Sequence, residues 1–202
     1  MVECGPLLEW TIVISRFAHP IRATTRPVRY PLETLLPTND EPTSITTRAA
    51  APHDARAMWQ MAKESGSLDL NSPYAYVLAG HHFSETSVVG ETADGHLAGF
   101  VFAYRPPASP GQVFVWQVAV DPALRGAGVA RRLLHRVIDN ALPLGATSLT
   151  ATVTPSNDAS RRLFQAIARD RGAQFTERPC FGADLFPDGH EPENEILITP
   201  LG

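Results

Sequence analysis

The sequence predicts an α/β (α+β) fold in which helices flank a central, mixed, mostly antiparallel sheet. Strand-like and helical patterns follow one another in the order β-α-α-β-β-β-α-β-α-β-β. Two strand-like runs, 87–92 and 97–104, are joined through Asp94-Gly95, a dipeptide suited to a tight hairpin turn, so these strands should pair antiparallel. Amphipathic helices interleaved with further strands then give a mixed sheet with helices packed against it.

Residues 1–42 are expected to lie outside this fold. They repeat Pro, Thr and Arg, as in Thr24-Thr25-Arg26-Pro27, and show no sustained apolar periodicity. We therefore expect a disordered N-terminal extension, followed by one folded domain over residues 43–202.

The first half of the domain carries clear signals for its elements. A short alternating strand is expected around Ile45, and a helix after Pro52. A second helix is expected over about 73–83, where the Ser72 side chain could cap the first amides. The run 113–120 is almost wholly apolar, so we expect a strand that is buried on both faces.

The second half contains the strongest helical pattern of the sequence. After Gly128, apolar residues recur at the i, i+3, i+4, i+7 spacing, namely Ala130, Leu133, Leu134, Val137, Ile138, Ala141 and Leu142. Pro143 and Gly145 are expected to end this helix. The predicted order is completed by a strand over 147–154, a helix over about 157–169, and strands over 173–178 and 195–199.

Composition and charge exclude several classes of protein. The 202 residues suffice for one domain of ordinary size, and a net charge of −4 argues against an extended nucleic-acid surface. Cys4 and Cys180 lie far apart without metal-binding spacing, which predicts no metal site and a reducing compartment. The apolar run 7–14 is interrupted by Glu9 and is much shorter than the ~20 residues of a membrane span. We therefore expect a cytoplasmic protein without membrane or nucleic-acid partners.

A glycine-containing loop between the strand 113–120 and the next helix is the strongest functional signal. The loop and the start of the helix comprise Arg125, Gly126, Ala127, Gly128, Val129 and Ala130. Glycine lets the backbone turn its amides inward, and the unpaired amides and positive dipole at a helix start favour a phosphate or pyrophosphate. The loop lacks the Gly-Lys-Ser/Thr of a Walker loop and the G-x-G-x-x-G of a dinucleotide site. A plain turn is the alternative.

The context of this loop resembles the acetyl-CoA signature of the GNAT acetyltransferase superfamily. The matching residues are the Val118-x-Val120 strand end, Arg125-Gly126-x-Gly128-x-Ala130, and Asn157 with Leu163-Phe164. The resemblance implies a GNAT fold whose loop amides hold the pyrophosphate of acetyl-CoA. Backbone groups of Val118 and Val120 would pair with the pantetheine arm, and the Val118 amide would polarise the thioester carbonyl. Asn157 would face the cofactor, cap its helix, or do both.

Three further stretches, 68–76, 82–89 and 114–120, resemble one GNAT family, the L-2,4-diaminobutyrate acetyltransferases of ectoine synthesis. This resemblance implies transfer of acetyl from acetyl-CoA to the N4 amine of L-2,4-diaminobutyrate, by a homodimer that uses no metal. Such an acceptor requires an anion for its α-ammonium, a donor for its α-carboxylate, and a base for the reacting ammonium. We expect Asp69 to recognise the ammonium, Trp116 to form a wall of the pocket, and Asn71 and Tyr74 to add hydrogen bonds.

The groups that move protons are less clearly indicated. His190 and Glu191, in the loop before the last strand, are candidates for proton removal or substrate contact, with solvated surface as the alternative. Many GNAT enzymes protonate the departing thiolate with a tyrosine where this chain has Phe164. Here the thiolate leaves unassisted, takes its proton from water, or uses another residue. Two other functions stay open: acetylation of a different small amine, and a non-catalytic acyl-CoA-binding module.

Overall fold

A computed structural model of the chain describes residues 44–66, 68–186 and 189–202. The expected disordered extension over 1–42 lies outside the described residues. Seven strands and four helices follow one another as β1 (Ile45–Ala49), α1 (Ala55–Ser65), α2 (Pro73–His81), β2 (Val88–Thr92), β3 (Leu97–Tyr104), β4 (Gln112–Val120), α3 (Val129–Ala141), β5 (Ser148–Val153), α4 (Asp158–Arg171), β6 (Gln174–Phe181) and β7 (Glu193–Thr199). The order predicted from the sequence is confirmed for this part of the chain.

The strands form one seven-stranded sheet in the order β1-β2-β3-β4-β5-β7-β6. Only β4 and β5 run parallel, and the other five neighbouring pairs are antiparallel. The predicted fold class, a mixed and mostly antiparallel sheet flanked by helices, is confirmed. The last strand, β7, lies between β5 and β6, so β6 is the outer strand at this end of the sheet.

Helices cover both faces of the sheet. On β3, Val101 packs into the cluster that contains α3 and α4, whereas Phe100 and Phe102 pack with α1 and α2. This alternation follows from the period of two along a strand. Each fully buried side chain of leucine size, such as Leu133, contributes about 1.5–3 kcal/mol through burial. In the described part of the chain, no helix combines the length and apolar composition that crossing a bilayer requires.

The start of α2 corrects one detail of the sequence analysis. Pro73 occupies the first turn as expected, but the Ser72 side chain makes no capping hydrogen bond. The backbone of Ser72 supplies the contact instead, since its carbonyl oxygen accepts from the Ala75 amide at 3.0 Å. Pro73 leaves one amide fewer to satisfy in this first turn, because proline has no amide hydrogen.

Strand β4 departs from the prediction that it is buried on both faces, and that prediction is wrong. Trp116 is 45% exposed, and Val118 and Val120 are only partly buried. Pairing of β4 with β5 ends at Val115, although β4 continues to Val120. At the same point a bulge inserts Trp116 between the residues that face β3, and bulges of this kind bend a strand. The two parallel strands therefore part, and one edge of β4 is left open.

Candidate active site

The open edge of β4 carries main-chain groups for which the described residues provide no strand partner. The Asp121 amide donates to the Ala98 carbonyl of β3 at 3.0 Å. Hydrogen-bonded positions alternate along an antiparallel ladder, so the amide and carbonyl of Ala119 also face β3. The amides and carbonyls of Val118 and Val120 therefore point the other way, into the gap between the parted strands β4 and β5. The gap therefore offers an extended ligand the hydrogen bonds of an added strand.

The loop after β4 brings further amides to the same gap. Gly126 and Gly128 have φ values of 82° and 77°, a left-handed conformation that other residues adopt only at a cost. Gly128 is the N-cap of α3 and provides no side-chain cap, so the first amides of the helix stay available. Asp121 stabilises the turn before this loop, since its Oδ1 accepts from the Ala123 amide at 2.8 Å.

A cavity of about 470 Å³ joins the open strand edge to this helix start. Seven of the predicted cofactor residues line it, namely Val118, Val120, Arg125, Gly126, Gly128, Val129 and Ala130. Ala127 and Asn157 do not line it. Asn157 caps α4, because its Oδ1 accepts from the Ser160 amide at 3.0 Å. The residues present fit acetyl-CoA, with helix-start amides for its pyrophosphate and strand amides for its pantetheine arm.

A buried hydrogen-bond chain ties the loop between α1 and α2 to β4. Tyr76, on α2, is fully buried, and its hydroxyl donates to Gln117 Oε1 at 2.9 Å. The Gln117 Nε2 donates to the Asp69 carbonyl oxygen at 2.7 Å. Burial raises the pKa of Tyr76, which keeps its hydroxyl protonated and able to donate. Asn71 lies beside this hydroxyl, and its buried Nδ2 makes no well-formed hydrogen bond within the described part of the chain.

Three titratable side chains, those of Asp69, His190 and Glu193, lie close together at the Asp69 end of this chain of hydrogen bonds. His190 Nε2 lies 3.4 Å from Asp69 Oδ2 and 3.9 Å from Glu193 Oε1. The Asp69 side chain is 86% exposed, whereas those of His190 and Glu193 are only 20% and 17% exposed. Their ligand atoms all lie within 4.8 Å of one another, a spacing that an ammonium group or a metal ion could use. Asp69 and His190 are 121 residues apart in the chain.

The orientation of the His190 ring is set by its own loop. Its Nδ1 lies 2.6 Å from the Glu191 carbonyl oxygen, which can only accept, so Nδ1 carries a hydrogen. Phe186 stacks on the ring, with centroids 4.0 Å apart. In the neutral imidazole, Nε2 therefore carries the free lone pair, and it is this atom that faces Asp69 and Glu193.

Comparison with known proteins shows the family to which this chain belongs. The model of the acetyltransferase (GNAT) family matches residues 53–168. An L-2,4-diaminobutyric acid acetyltransferase of Nocardia farcinica is 44% identical over 176 residues, which cover 87% of this chain and 89% of that protein. One of Halalkalibacterium halodurans is 42% identical over 160 residues, covering 79% and 84%.

A solved structure agrees with these relatives. The diaminobutyrate acetyltransferase of Paenibacillus lautus, in complex with L-2,4-diaminobutyric acid and coenzyme A, superposes with a TM-score of 0.74 at 38% identity. The superposition covers 79% of this chain and 97% of that one. This chain belongs to the diaminobutyrate acetyltransferase family of GNAT enzymes.

The acetyltransferase brings some predicted site residues together and separates others. His190 and Asp69 are in contact, but the Glu191 side chain turns away and accepts from Ser156 Oγ at 2.5 Å. Tyr74 is 66% exposed. Trp116 packs against Phe102, with ring centroids 4.7 Å apart and the ring planes tilted, and 45% of its surface is exposed. The roles given to these side chains from the resemblance stay predictions.

Three residues of the site were not singled out from the sequence of the acetyltransferase. Glu193 could have been suspected from its spacing, because it follows His190 by three residues. Gln117 stands out as a polar residue at the centre of the apolar run 113–120, and that contrast was a usable signal. Tyr76 had no such signal, since a tyrosine on a helix is usually core. Phe164 is 3% exposed within the apolar core, while its neighbour Leu163 lines the cavity.

We expect the His190 pKa to lie above its ordinary value of 6.5. The main cause is the bond to the Glu191 carbonyl, and the Asp69 carboxylate adds to it. Because the pKa is raised on folding, His190 stabilises the fold fully below pH 6.5, and this contribution is lost as the pH rises through the higher folded pKa. An NMR titration of the His190 ring measures this pKa. In Asp69→Asn the pKa should fall but stay above the unfolded value, and a pKa at or below 6.5 in the native protein would contradict the geometry.

Proposed function

We propose that this enzyme transfers acetyl from acetyl-CoA to the N4 amine of L-2,4-diaminobutyrate and so makes N4-acetyl-L-2,4-diaminobutyrate for ectoine biosynthesis. One observation carries this proposal: the cavity and the charged cluster share one loop. Leu68 lines the cavity, and the next residue, Asp69, contacts His190. A small diamine held by the cluster therefore lies next to the open edge of β4.

The cluster suits an amino acid that carries two ammonium groups. Asp69 and Glu193 offer two carboxylates within reach of one another, enough to hold the retained α-ammonium. Asn71 has a buried Nδ2 donor without a well-formed partner in the described residues, and it supplies a hydrogen bond for the α-carboxylate. The exposed faces of Trp116 and Tyr74 provide the walls and a further hydroxyl.

His190 is the group that removes the proton. The reacting amine arrives as an ammonium with a pKa near ~10.4, so it must lose a proton before it can attack. The lone pair of His190 Nε2 accepts that proton, and the resulting imidazolium is stabilised by Asp69 and Glu193. Glu191 supports this step through its carbonyl oxygen rather than its carboxylate.

The open edge of β4 and the loop after it hold the acetyl donor. Acetyl-CoA supplies the acetyl group as a thioester. The amides of the loop and of the start of α3 bind the pyrophosphate, and the Val118 and Val120 main chain orients the arm. The Val118 amide then donates to the thioester oxygen, where negative charge would develop. As the amine nitrogen forms its bond to the acetyl carbon, the C–S bond to CoA would break, and the second proton lost by the nitrogen would end on the thiol of CoA. Ala127 and Asn157 act indirectly, through the shape of the loop and the start of α4.

Replacing Asp69 by Ala should raise KM for diaminobutyrate at least about tenfold and leave KM for acetyl-CoA within about twofold. The reason is that loss of a charged hydrogen-bond partner costs about 1.5–3 kcal/mol in binding, whereas the cavity for CoA is untouched. Initial rates of thiol release at varied concentrations of each substrate measure both constants. Equal rises in the two KM values would reject the role of Asp69.

A panel of amines run beside this variant tests the function itself. Preference of the native enzyme for ornithine or a polyamine would replace diaminobutyrate as substrate. Binding of CoA without thiol release for any amine would make the protein a non-catalytic module. Activity that resists a chelator would agree with a reaction that uses no metal.

We also propose the cellular setting of the enzyme. The exposed free thiol of Cys180 and the net charge of −4 agree with a reducing cytoplasm and with no nucleic-acid partner. The homodimer implied by the family resemblance stays a prediction. The outer strand β6, with its exposed last residue Phe181 and the nearby exposed Leu185, is the surface on which a second copy could pack.

A further inference from the structure

Gln117 takes no chemical part in the reaction set out above, yet it is buried at the centre of β4. Its side chain is held between two partners, the Tyr76 hydroxyl and the Asp69 carbonyl. We propose that Gln117 is a positioning residue that fixes Asp69 at one distance from the open edge of β4 and thereby selects the chain length of the amine. This inference rests on the proposed function.

The hydrogen bonds of Gln117 can adopt only one arrangement. The Asp69 carbonyl oxygen can only accept, so the nitrogen of the Gln117 amide must face it at 2.7 Å. The Gln117 oxygen then faces Tyr76, and the tyrosine must donate. Tyr76 is itself held in the core, edge-on to Phe100 with centroids 6.0 Å apart. The chain from the core to Asp69 is therefore rigid and has a fixed direction.

The same residue adjoins the place where the acetyl group is transferred. Gln117 and Val118 are neighbours in β4, and their side chains lie on opposite faces of the sheet. The Val118 main chain points into the gap, whereas Gln117 holds the loop that carries Asp69. The Gln117 side chain thus sets the distance between the Asp69 carboxylate, which recognises the substrate, and the Val118 amide, which faces the thioester.

That spacing decides which diamines fit. Diaminobutyrate and ornithine differ by one methylene, and a rigid pocket distinguishes one methylene by about 10- to 200-fold. The Asp69 carboxylate is 86% exposed, so burial of its own side chain does not hold it in place. When the tie to Gln117 is cut, Asp69 can follow the ammonium of a longer substrate, and the discrimination is lost.

The test compares Gln117→Leu with Gln112→Leu, the same substitution in the same strand but away from the loop. In Gln117→Leu, the ratio of kcat/KM for diaminobutyrate to that for ornithine should fall about tenfold, KM for diaminobutyrate should rise, and KM for acetyl-CoA should stay within about twofold. Amide hydrogen exchange over residues 68–72 should become faster. Gln112→Leu should change none of these quantities.

Tyr76→Phe provides a second, milder variant if Gln117→Leu does not fold. It removes one hydrogen bond and keeps the bond to Asp69, so its loss of discrimination should be smaller but in the same direction. An unchanged substrate ratio in a folded Gln117→Leu enzyme, or in Tyr76→Phe when the first variant does not fold, would overturn the inference. If the native protein acetylates no diaminobutyrate, the proposed function fails. In that case, amide hydrogen exchange still tests the positioning role. If residues 68–72 exchange at the native rate in Gln117→Leu, that role is overturned as well.

Discussion

Replacing His190 by Gln should lower kcat/KM for diaminobutyrate by about 10²- to 10⁴-fold, the range that a positioned general base contributes. Glutamine keeps a polar group in the loop but cannot take a proton from an ammonium. The deficit should appear in kcat, measured as thiol release under saturating substrates. It should shrink as the pH approaches 10, where the amine loses its proton without help.

A second histidine beside an aspartate provides the matched control. His96 lies 3.3 Å from Asp94 in the turn between β2 and β3, with its side chain 82% exposed. His96→Gln removes the same kind of pair and should leave the rate unchanged. A His190→Gln enzyme that loses less than threefold in kcat would show that the base lies elsewhere. A rise in KM alone would assign His190 to binding.

Replacing Gly80 by Ala should destabilise the fold by at least about 2 kcal/mol, or roughly 4–8 °C in Tm. Exposed helical glycines usually gain stability from this change. Here, however, α2 packs on the chain before α1 so closely that the added carbon would lie 2.2 Å from the Ala51 carbonyl carbon and 2.6 Å from the Pro52 nitrogen. Backbone atoms cannot turn aside as a side chain can, so α2 must move and carry Tyr76 with it.

Thermal unfolding followed by circular dichroism measures this loss. Gly111→Ala is the control, because a carbon added there meets only Thr147 Oγ1 at 3.5 Å, an ordinary contact. A Tm loss of less than about 1 °C in Gly80→Ala would mean that the helix and the preceding chain are not in close contact. Partial loss of activity in the folded fraction is also expected, since Tyr76 supports the substrate loop.

Local patterns were enough to predict most of the fold. The helix α3 was defined by its apolar spacing and by Pro143, and the hairpin of β2 and β3 by Asp94-Gly95, because each signal acts within a few residues. The order of strands in the sheet was not predictable in this way. The insertion of β7 between β5 and β6 depends on packing between distant segments. The bulge at Trp116 also has no mark in the apolar run around it.

The candidate site, like the fold, could be predicted where its signals are local and not where they depend on distant segments. The loop around Gly126 and Gly128 could be found because phosphate binding at a helix start is a property of one short segment. The contact of His190 with Asp69 could be suspected only through family resemblance, since 121 residues separate them. Sequence reasoning grouped His190 with Glu191 as neighbours in the chain. Their side chains diverge because the loop turns the Glu191 carboxylate toward Ser156.

The separation of β4 from β5 beyond Val115 also bears on aggregation of the protein in the cell. An unpaired strand edge is a template for association with other chains, and proteins usually shield such edges with their own side chains or loops. In the proposed complex, acetyl-CoA covers the edge of β4 beyond Val115, where pairing with β5 has ended. A molecule that binds only the folded state also raises its stability in proportion to the logarithm of its concentration. We therefore expect the supply of acetyl-CoA to affect both the rate of the enzyme and its resistance to aggregation.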